Sequence, residues 1–379
     1  MKGMSFDVVL CQPERKVQVA ELHAYFWGDI AASAAYLEWK YERNPYLRKS
    51  PIYLALRDGK PVGMRGMFGA MWEAGSSSQK LLGLHADDLV VAPEYRSRGV
   101  VANLMSAAFD DLREKGWEYV FSLSAGAVTR LSSLAAGWRN VGPVGELRRA
   151  SRRVERLRRL HGTVSGMRFF HRYAEGVRSL MGRHLQSDLR RRRTGGAIKV
   201  AACVSLWQEP RPEEMAGLVG RIPHDGRIRH VRDRDYFAWR FQNPIHKYWF
   251  LFWEEPDLEG YLVLQEYLPE SMDRTVTNIV DWEASDDRVR AGLLQAALRL
   301  GHFPDLRIWS ATLPDKTKAL LETSGFRPGG GGSGIADQQK CILVKPLREG
   351  APEKDCVLAG RRLLEIADWD VRMMYSMQG

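Results

Sequence analysis

Three runs in the first third of the chain (51–57, 62–69 and 81–92) alternate apolar with polar or small residues, the period of a strand with one buried face. The "RDGKP" at 57–61 reads as the hairpin turn between the first two. From 98 to 115 the pattern changes to that of a long amphipathic helix. A strand at 7–11, helices at 17–30 and 34–41, a strand at 118–124, a helix at 127–136 and a strand at 138–148 complete this half. Paired strands followed by alternating strand and helix predict a mixed sheet with helices on its faces.

The second half repeats the order. Strands are expected near 249–253, 260–267 and 274–282, then a helix at 287–300, a strand at 306–312, a helix at 315–323 and a closing strand at 340–346, preceded by a flexible loop over Gly329–Gly334. The repeat is also visible in the letters. "YLEWKYERNP" at 36–45 answers "YFAWRFQNP" at 236–244, pairing Trp39 with Trp239 and Lys40 with Arg240, and "GWRNVG" at 137–142 answers "GFRPGG" at 325–330. The fold class expected is therefore α/β (α+β), two tandem mixed-sheet units, and the shared motif suggests that they pair across a pseudo-two-fold axis.

Length agrees, since 379 residues suit two domains. The expected division is a first unit at 1–147, an arginine-rich helical connector at 148–195, a second unit at 196–348 and a tail at 349–379 that packs back. No apolar run reaches the roughly 18 residues of a membrane span. The N-terminal stretch does not read as a secretory signal, so the cytoplasm is the expected location. The four cysteines show no metal or disulfide spacing, and no metal is expected.

The net charge is +10, and fifteen arginines fall between Arg148 and Arg193. Such a segment is either a solvated connector or a surface for polyanions: an acyl carrier protein, an anionic membrane surface or a phosphorylated small molecule. No nucleic-acid-binding module accompanies it, and nucleic acid is not an expected partner. The 12 tryptophans suggest platforms for stacking a ligand.

The sharpest local signal is "LHADDLVVAPEYRSRGVVANLMSAAFDDL", 84–112. It runs from a strand through a turn with Arg96, Arg98 and Gly99 into a helix. A helix mouth offers unpaired N–H groups and partial positive charge, and a glycine there lets a phosphate come close.

Within that stretch, "VVAPEYRSRGVVANLM" resembles the acetyl-coenzyme A signature of the GNAT superfamily of N-acetyltransferases. Pro93, Arg96 and Gly99 fall in register, with Val90 and Val91 before them and Leu104 after. "YVFSLSA…LAAGWRNVG" resembles the family's next strand, helix and Gly-Phe ending, with Trp138 in place of Phe. Val101 departs from the pattern, standing where a second Gly or Ala is usual. The resemblance covers roughly 50–145. It implies acyl-CoA as cosubstrate, its pantetheine arm on the amides of a splayed strand at Leu89, Val90 and Val91, and its pyrophosphate at Arg96, Ser97, Arg98, Gly99, Val100, Val101 and Ala102. The second unit has "DWEASDDRVRAGLL" at the equivalent place, with acids where a pyrophosphate would lie, and is expected to be degenerate.

The family also implies a base near the splayed strand. Alternation places His85 and Asp87 on one face and Asp88 on the other. Asp87 is the first candidate, with His85 sharing the role or orienting a water, and Asp88 the alternative. The family's usual acid is a tyrosine four residues before the glycine of the ending. Counting back from Gly137 gives Ser133; Tyr119, Tyr173 and Tyr267 are other sources, and a thiolate also leaves unaided because its pKa is near 8.5. The acceptor expected is a small-molecule amine, an amino sugar and specifically a nucleotide-linked one. The alternatives are an amino acid or lipid amine acylated from a carrier protein, and a non-catalytic binding protein.

Overall fold

The protein is described by a computed structural model that places residues 5–150, 198–267, 276–300, 303, 305–329, 340–348, 350 and 352–376. Most of the arginine-rich connector, the Gly-rich loop beyond Gly329, and Tyr173 lie outside these described residues.

Two eight-stranded sheets carry the fold. The first contains β1 (Asp7–Leu10), β2 (Ile52–Arg57), β3 (Lys60–Ala74), β4 (Gln79–Val91), β5 (Tyr119–Ala125) and β6 (Arg139–Pro143). The second contains β7 (Glu146–Ala150), β8 (Ile198–Ala201), β9 (Val204–Trp207), β11 (Lys247–Glu254), β12 (Leu258–Tyr267), β13 (Val276–Ala284), β14 (Asp305–Trp309) and β15 (Arg327–Pro328). Two later strands join the first sheet: β10 (Arg229–His230) beside β3, and β16 (Cys341–Pro346) between β5 and β6. The helices are α1 (Lys16–Trp27), α2 (Ile30–Leu37), α3 (Val100–Glu114), α4 (Ala127–Ala135), α5 (Pro212–Arg221), α6 (Arg234–Arg240), α7 (Asp287–Leu300) and α8 (Asp315–Thr323).

The strand expected at 138–148 is two strands, and the break matters. Gly142 (φ 154°) and Gly145 (φ 59°) bend the chain, so β6 stays in the first sheet while β7 crosses to pair antiparallel with β14. The strand expected to close the second unit, β16, instead pairs with β5 and β6. Each sheet thus takes a strand from the other half in the same position: β5–β16–β6 on one side, β14–β7–β15 on the other.

The halves meet where the repeat predicts. The rings of Trp39 and Trp239 stack at 5.1 Å and 16°. Each indole N–H donates to the other's backbone carbonyl, Trp39 Nε1 to Trp239 O at 2.7 Å and Trp239 Nε1 to Trp39 O at 2.9 Å. This reciprocal pair is what a two-fold relation between the copies produces.

Burial follows from the pattern. The apolar stripe of α3 (Val100, Leu104, Met105, Ala108, Phe109, Leu112) packs with Ala55, Val62 and Leu84 of the first sheet. The opposite face, with α1 and α2, merges into a core shared with the second unit through Tyr236, Phe237, Phe250 and Phe252. The tryptophans belong to this interior. Seven of the twelve are buried and five half-buried, so most of them fill the interior, and stacking platforms are left to the half-buried five.

Candidate active site

Strand β4 opens the site. It runs parallel to β5 at Leu84↔Val120 and His85↔Phe121, and the two part toward the C-terminal end of β4. On its other side the register with β3 slips: Met64 pairs with Val90 and Gly66 with Asp87, so Asp88 and Leu89 together oppose Arg65. Asp88 takes a left-handed conformation, φ 52°, at this bulge. The bulge leaves Leu89, Val90 and Val91 on the part of β4 that has diverged from β5.

The bulge also overturns simple alternation. Asp87 and Asp88 do not face opposite ways; both carboxylates reach Lys40 Nζ at 2.7 Å. Lys40 is fully buried on the π-helical turn that follows α2, and Tyr36 OH lies 3.0 Å from the same nitrogen. Tyr41 OH donates to Asp88 Oδ2 at 2.5 Å, and His23 Nε2 lies 3.5 Å from Asp88 Oδ1. Burial opposes charge on Lys40, but Asp87 and Asp88 outweigh it and hold the ammonium well above its ordinary pKa. Asp88 is pulled well below the carboxylate range despite burial, by Lys40 and His23. The buried guanidinium of Arg65 on β3 also lies in the field of both carboxylates. Asp87 alone reaches solvent, with its side chain 18% exposed.

His85 lies two residues before Asp87, and both line one small pocket with Phe68, Ala86, Ser122, Leu123, Tyr375 and Ser376. His85 Nε2 is 3.2 Å from His230 Nε2, which comes from β10, and His230 Nδ1 is 3.3 Å from Tyr236 OH. Burial pushes His85 down to about 3, helped by Lys40, and His230 well below its ordinary value. Both imidazoles are neutral at pH 7, one donating to the other.

Beyond β4, a 3-10 turn at Pro93–Tyr95 leads through exposed Arg96, Ser97, Arg98 and Gly99 into α3. Arg96 Nε donates to Val91 O at 3.2 Å, tying the turn to the bulged strand. Ser97 (φ 58°) and Gly99 (φ 82°) are both left-handed. No side chain caps the helix, whose first intrahelical bond is Asn103 N to Gly99 O, so the amides of Val100, Val101 and Ala102 have no bond within it. A Cβ at Gly99 would meet nothing within 4 Å; the glycine is required by its φ, and the space above it is open. These residues fit a diphosphate.

The second unit lacks this mouth. Only Ser285 and Asp286 separate β13 from α7, and Asp286 Oδ1 accepts the Val289 amide at 2.7 Å. A carboxylate of the chain holds the place an anion would take.

Of the candidate acids, Ser133 sits on α4, outside the residues that line the Asp87 pocket, and its carbonyl accepts the Trp138 amide at 3.1 Å. Tyr119 begins β5 at the far end from the bulge, with its hydroxyl on Asp355 O at 3.3 Å, and Tyr267 ends β12 beside His246. None of these three is among the residues that line the Asp87 pocket. What sequence reasoning missed is the support around the acids: Lys40, Tyr36, Tyr41, His23, His230, Tyr375 and Ser376. Lys40 and Tyr41 were visible as part of the repeat, which pointed to them without saying what they bind.

Comparison with known proteins agrees with this geometry. Residues 9–128 match the family described as Acetyltransferase (GNAT) domain. No curated protein matches the chain. Among solved structures, Eis1 from Mycobacterium abscessus is 13% identical, with 90% of this chain and 74% of that one covered at a TM-score of 0.51. A GCN5-related N-acetyltransferase from Anabaena variabilis is 12% identical, with 91% and 73% covered at 0.55. A tandem GNAT protein from the clavulanic acid biosynthesis pathway is 13% identical, with 92% and 100% covered at 0.53. At such identities these structures speak for the fold, two GNAT-like units in one chain. Residues 9–128 thus carry the match to the GNAT acetyltransferase domain, and the chain as a whole shares the two-unit fold of the tandem GNAT protein.

Proposed function

We propose that the first unit transfers an acyl group from acyl-CoA to the primary amine of an amino sugar, with Asp87 as the base. The observation that carries this reading is the position of Asp87: a carboxylate with a solvent-facing edge, held by a buried ammonium next to a bulged, splayed strand. Acyl-CoA supplies the thioester when bound. The chain's own part is to seat the diphosphate on the amides of 100–102 beside Arg96 and Arg98, and to offer the β4 amides beyond the bulge to a carbonyl gaining charge. Asp87 then takes the proton that an ammonium must lose before it attacks.

Two features narrow the acceptor. The solvent-facing edge of the Asp87 carboxylate attracts a cationic amine and disfavours a phosphate placed beside it. The pocket encloses about 10 Å³, the space of one water, which suits a reacting nitrogen with the acceptor's body outside. Both favour a free amino sugar over a nucleotide-linked one. The tryptophans are buried or half-buried, and the connector arginines beyond Arg149 lie outside the described residues, so neither lends support to a nucleotide part.

The test is thiol release from acetyl-CoA across a panel of free and nucleotide-linked amino sugars. Free sugars should turn over, and Asp87→Asn should lower kcat/KM by about 10²–10⁴-fold while coenzyme A still binds. Wild-type protein that binds coenzyme A but releases no thiol with any panel member would sink the proposal.

A further inference from the structure

The pocket at Asp87 is completed from the far end of the chain, by Tyr375 and Ser376. Two arginines, Arg240 buried and Arg372 half-buried, fix that segment. Arg240, fully buried, donates to Met374 O at 2.7 Å, to Ser376 O at 3.2 Å and to Tyr248 OH at 2.7 Å. Arg372 donates to Asp281 Oδ1 at 2.8 Å and Trp282 O at 2.9 Å, and pairs with Glu283 at 2.9 Å and Asp370 at 3.2 Å. Arg232 reaches the same acids, Glu283 at 2.8 Å and Asp281 at 3.3 Å.

These positions are not arbitrary. Arg240 stands in the repeat where Lys40 stands in the first unit. Asp281 and Glu283 lie on β13, the counterpart of β4, just past a bulge where Val263 pairs with Asp281 but Leu264 with Ile279. In the first unit the repeated cation holds the acids of the bulged strand. In the second it has let go of them and holds the backbone of the tail, while Arg372 of the tail takes up the acids. Tyr375 stands between the two clusters, its hydroxyl in the field of Arg232, Asp370, Arg372 and Asp281. Tyr375 is fully buried, stacks on His230 at 4.1 Å, lines the Asp87 pocket, and its hydroxyl has no hydrogen-bond partner among the described residues. A buried hydroxyl left without a partner is costly unless a ligand supplies one.

We propose that the second unit's former site works as a clamp that holds Tyr375 and Ser376 as the acceptor-recognising wall of the first unit's pocket. Tyr375 OH meets a hydroxyl or amine of the acceptor next to the reacting nitrogen. Arg240, with Arg372 on Asp281 and Glu283, are positioning residues for that wall. This rests on the reading of the Asp87 pocket as the acceptor site.

The experiment compares wild type, Tyr375→Phe, Arg240→Met and a chain ending at Met374, using acetyl-CoA with glucosamine, coenzyme A titration, and hydrogen exchange of the 370–376 amides. Tyr375→Phe should raise the glucosamine KM roughly three- to tenfold, the worth of one hydrogen bond, with the coenzyme A affinity unchanged. Arg240→Met should speed exchange in 370–376 while β3 and β4 stay protected, and raise the same KM. Tail amides as slow in Arg240→Met as in wild type, or a glucosamine KM within twofold of wild type in both Tyr375→Phe and the shortened chain, would overturn the clamp. The exchange measurement needs no turnover. A wild-type protein inactive on every amine refutes the proposed function, while the exchange arm still decides whether Arg240 holds the tail.

Discussion

His85 and His230 sit neutral and face to face, and this gives the protein a specific response to acid. In the unfolded chain each imidazole takes a proton near pH 6.5. In the folded protein His85 does so only at about 3, and His230 is likewise depressed. The unfolded state therefore binds more protons across this window, so the stability is complete above about pH 6.5 and falls as the pH drops toward 3, by up to about 1.4 kcal/mol per pH unit for each histidine. The depressed carboxyls, Asp88 and Glu283 among them, act in the same direction but only below about pH 4, where unfolded carboxylates protonate. Urea unfolding of wild type and His230→Phe between pH 7 and 4.5 separates the two. The wild-type slope should be the steeper by about one histidine's share, and parallel slopes would mean that His230 is not buried neutral. At this scale His85 and Asp87 were legible, because two residues apart on one strand they share a face. Asp88 was misplaced because a bulge, which no local pattern announces, turns its backbone to positive φ. Lys40 was noticed but not understood: its partners lie 47 and 48 residues away, and only the packing of α1 and the π-helical turn against β3 and β4 brings them together.

The strand–turn–helix element from β4 to α3 was the most legible of all, because its signals are local: an alternating run, a proline, a glycine and an amphipathic stripe. Its glycine allows a direct check of what the turn is for. With φ at 82° and open space above it, Gly99→Ala adds backbone strain of about 1–2 kcal/mol without a clash. If the mouth of α3 seats a diphosphate, the added methyl also stands at the anion's approach, and coenzyme A should bind about tenfold more weakly while the fold is retained. Calorimetric titration reads this, and an affinity equal to wild type would place the nucleotide elsewhere. The elements that escaped sequence reading were of two kinds. Helices α5 and α6 escaped only in their bounds, since α6 ends in the repeated Trp239–Arg240 motif and short apolar runs do not declare their period. Strands β7 and β16 were expected as strands, but not in the sheets they occupy, since pairing is a long-range choice that alternation does not encode.

That exchange makes the molecule one cooperative body. Without β16 the first sheet would break between β5 and β6, and without β7 the second would break between β14 and β15. The interior agrees, since a single apolar cluster runs from Leu54 and Phe68 of one sheet through the Trp39–Trp239 stack to Phe250 and Phe252 of the other. Neither half can leave the other without opening strand edges and exposing this surface, so the two units should melt together although each resembles a domain in size. Scanning calorimetry should then show one transition with matching calorimetric and van't Hoff enthalpies. Trp239→Ala sharpens the test, because it removes the stack and the indole bond that Trp239 donates to Trp39 O at the seam. In a cooperative body the variant lowers the one transition, by about 3–5 kcal/mol of stability, and leaves it single. In a body of two independent domains the same change would leave the distant parts of each half intact and split the trace in two. Two resolved transitions, in either protein, would show that the exchanged strands do not bind the halves into one folding unit.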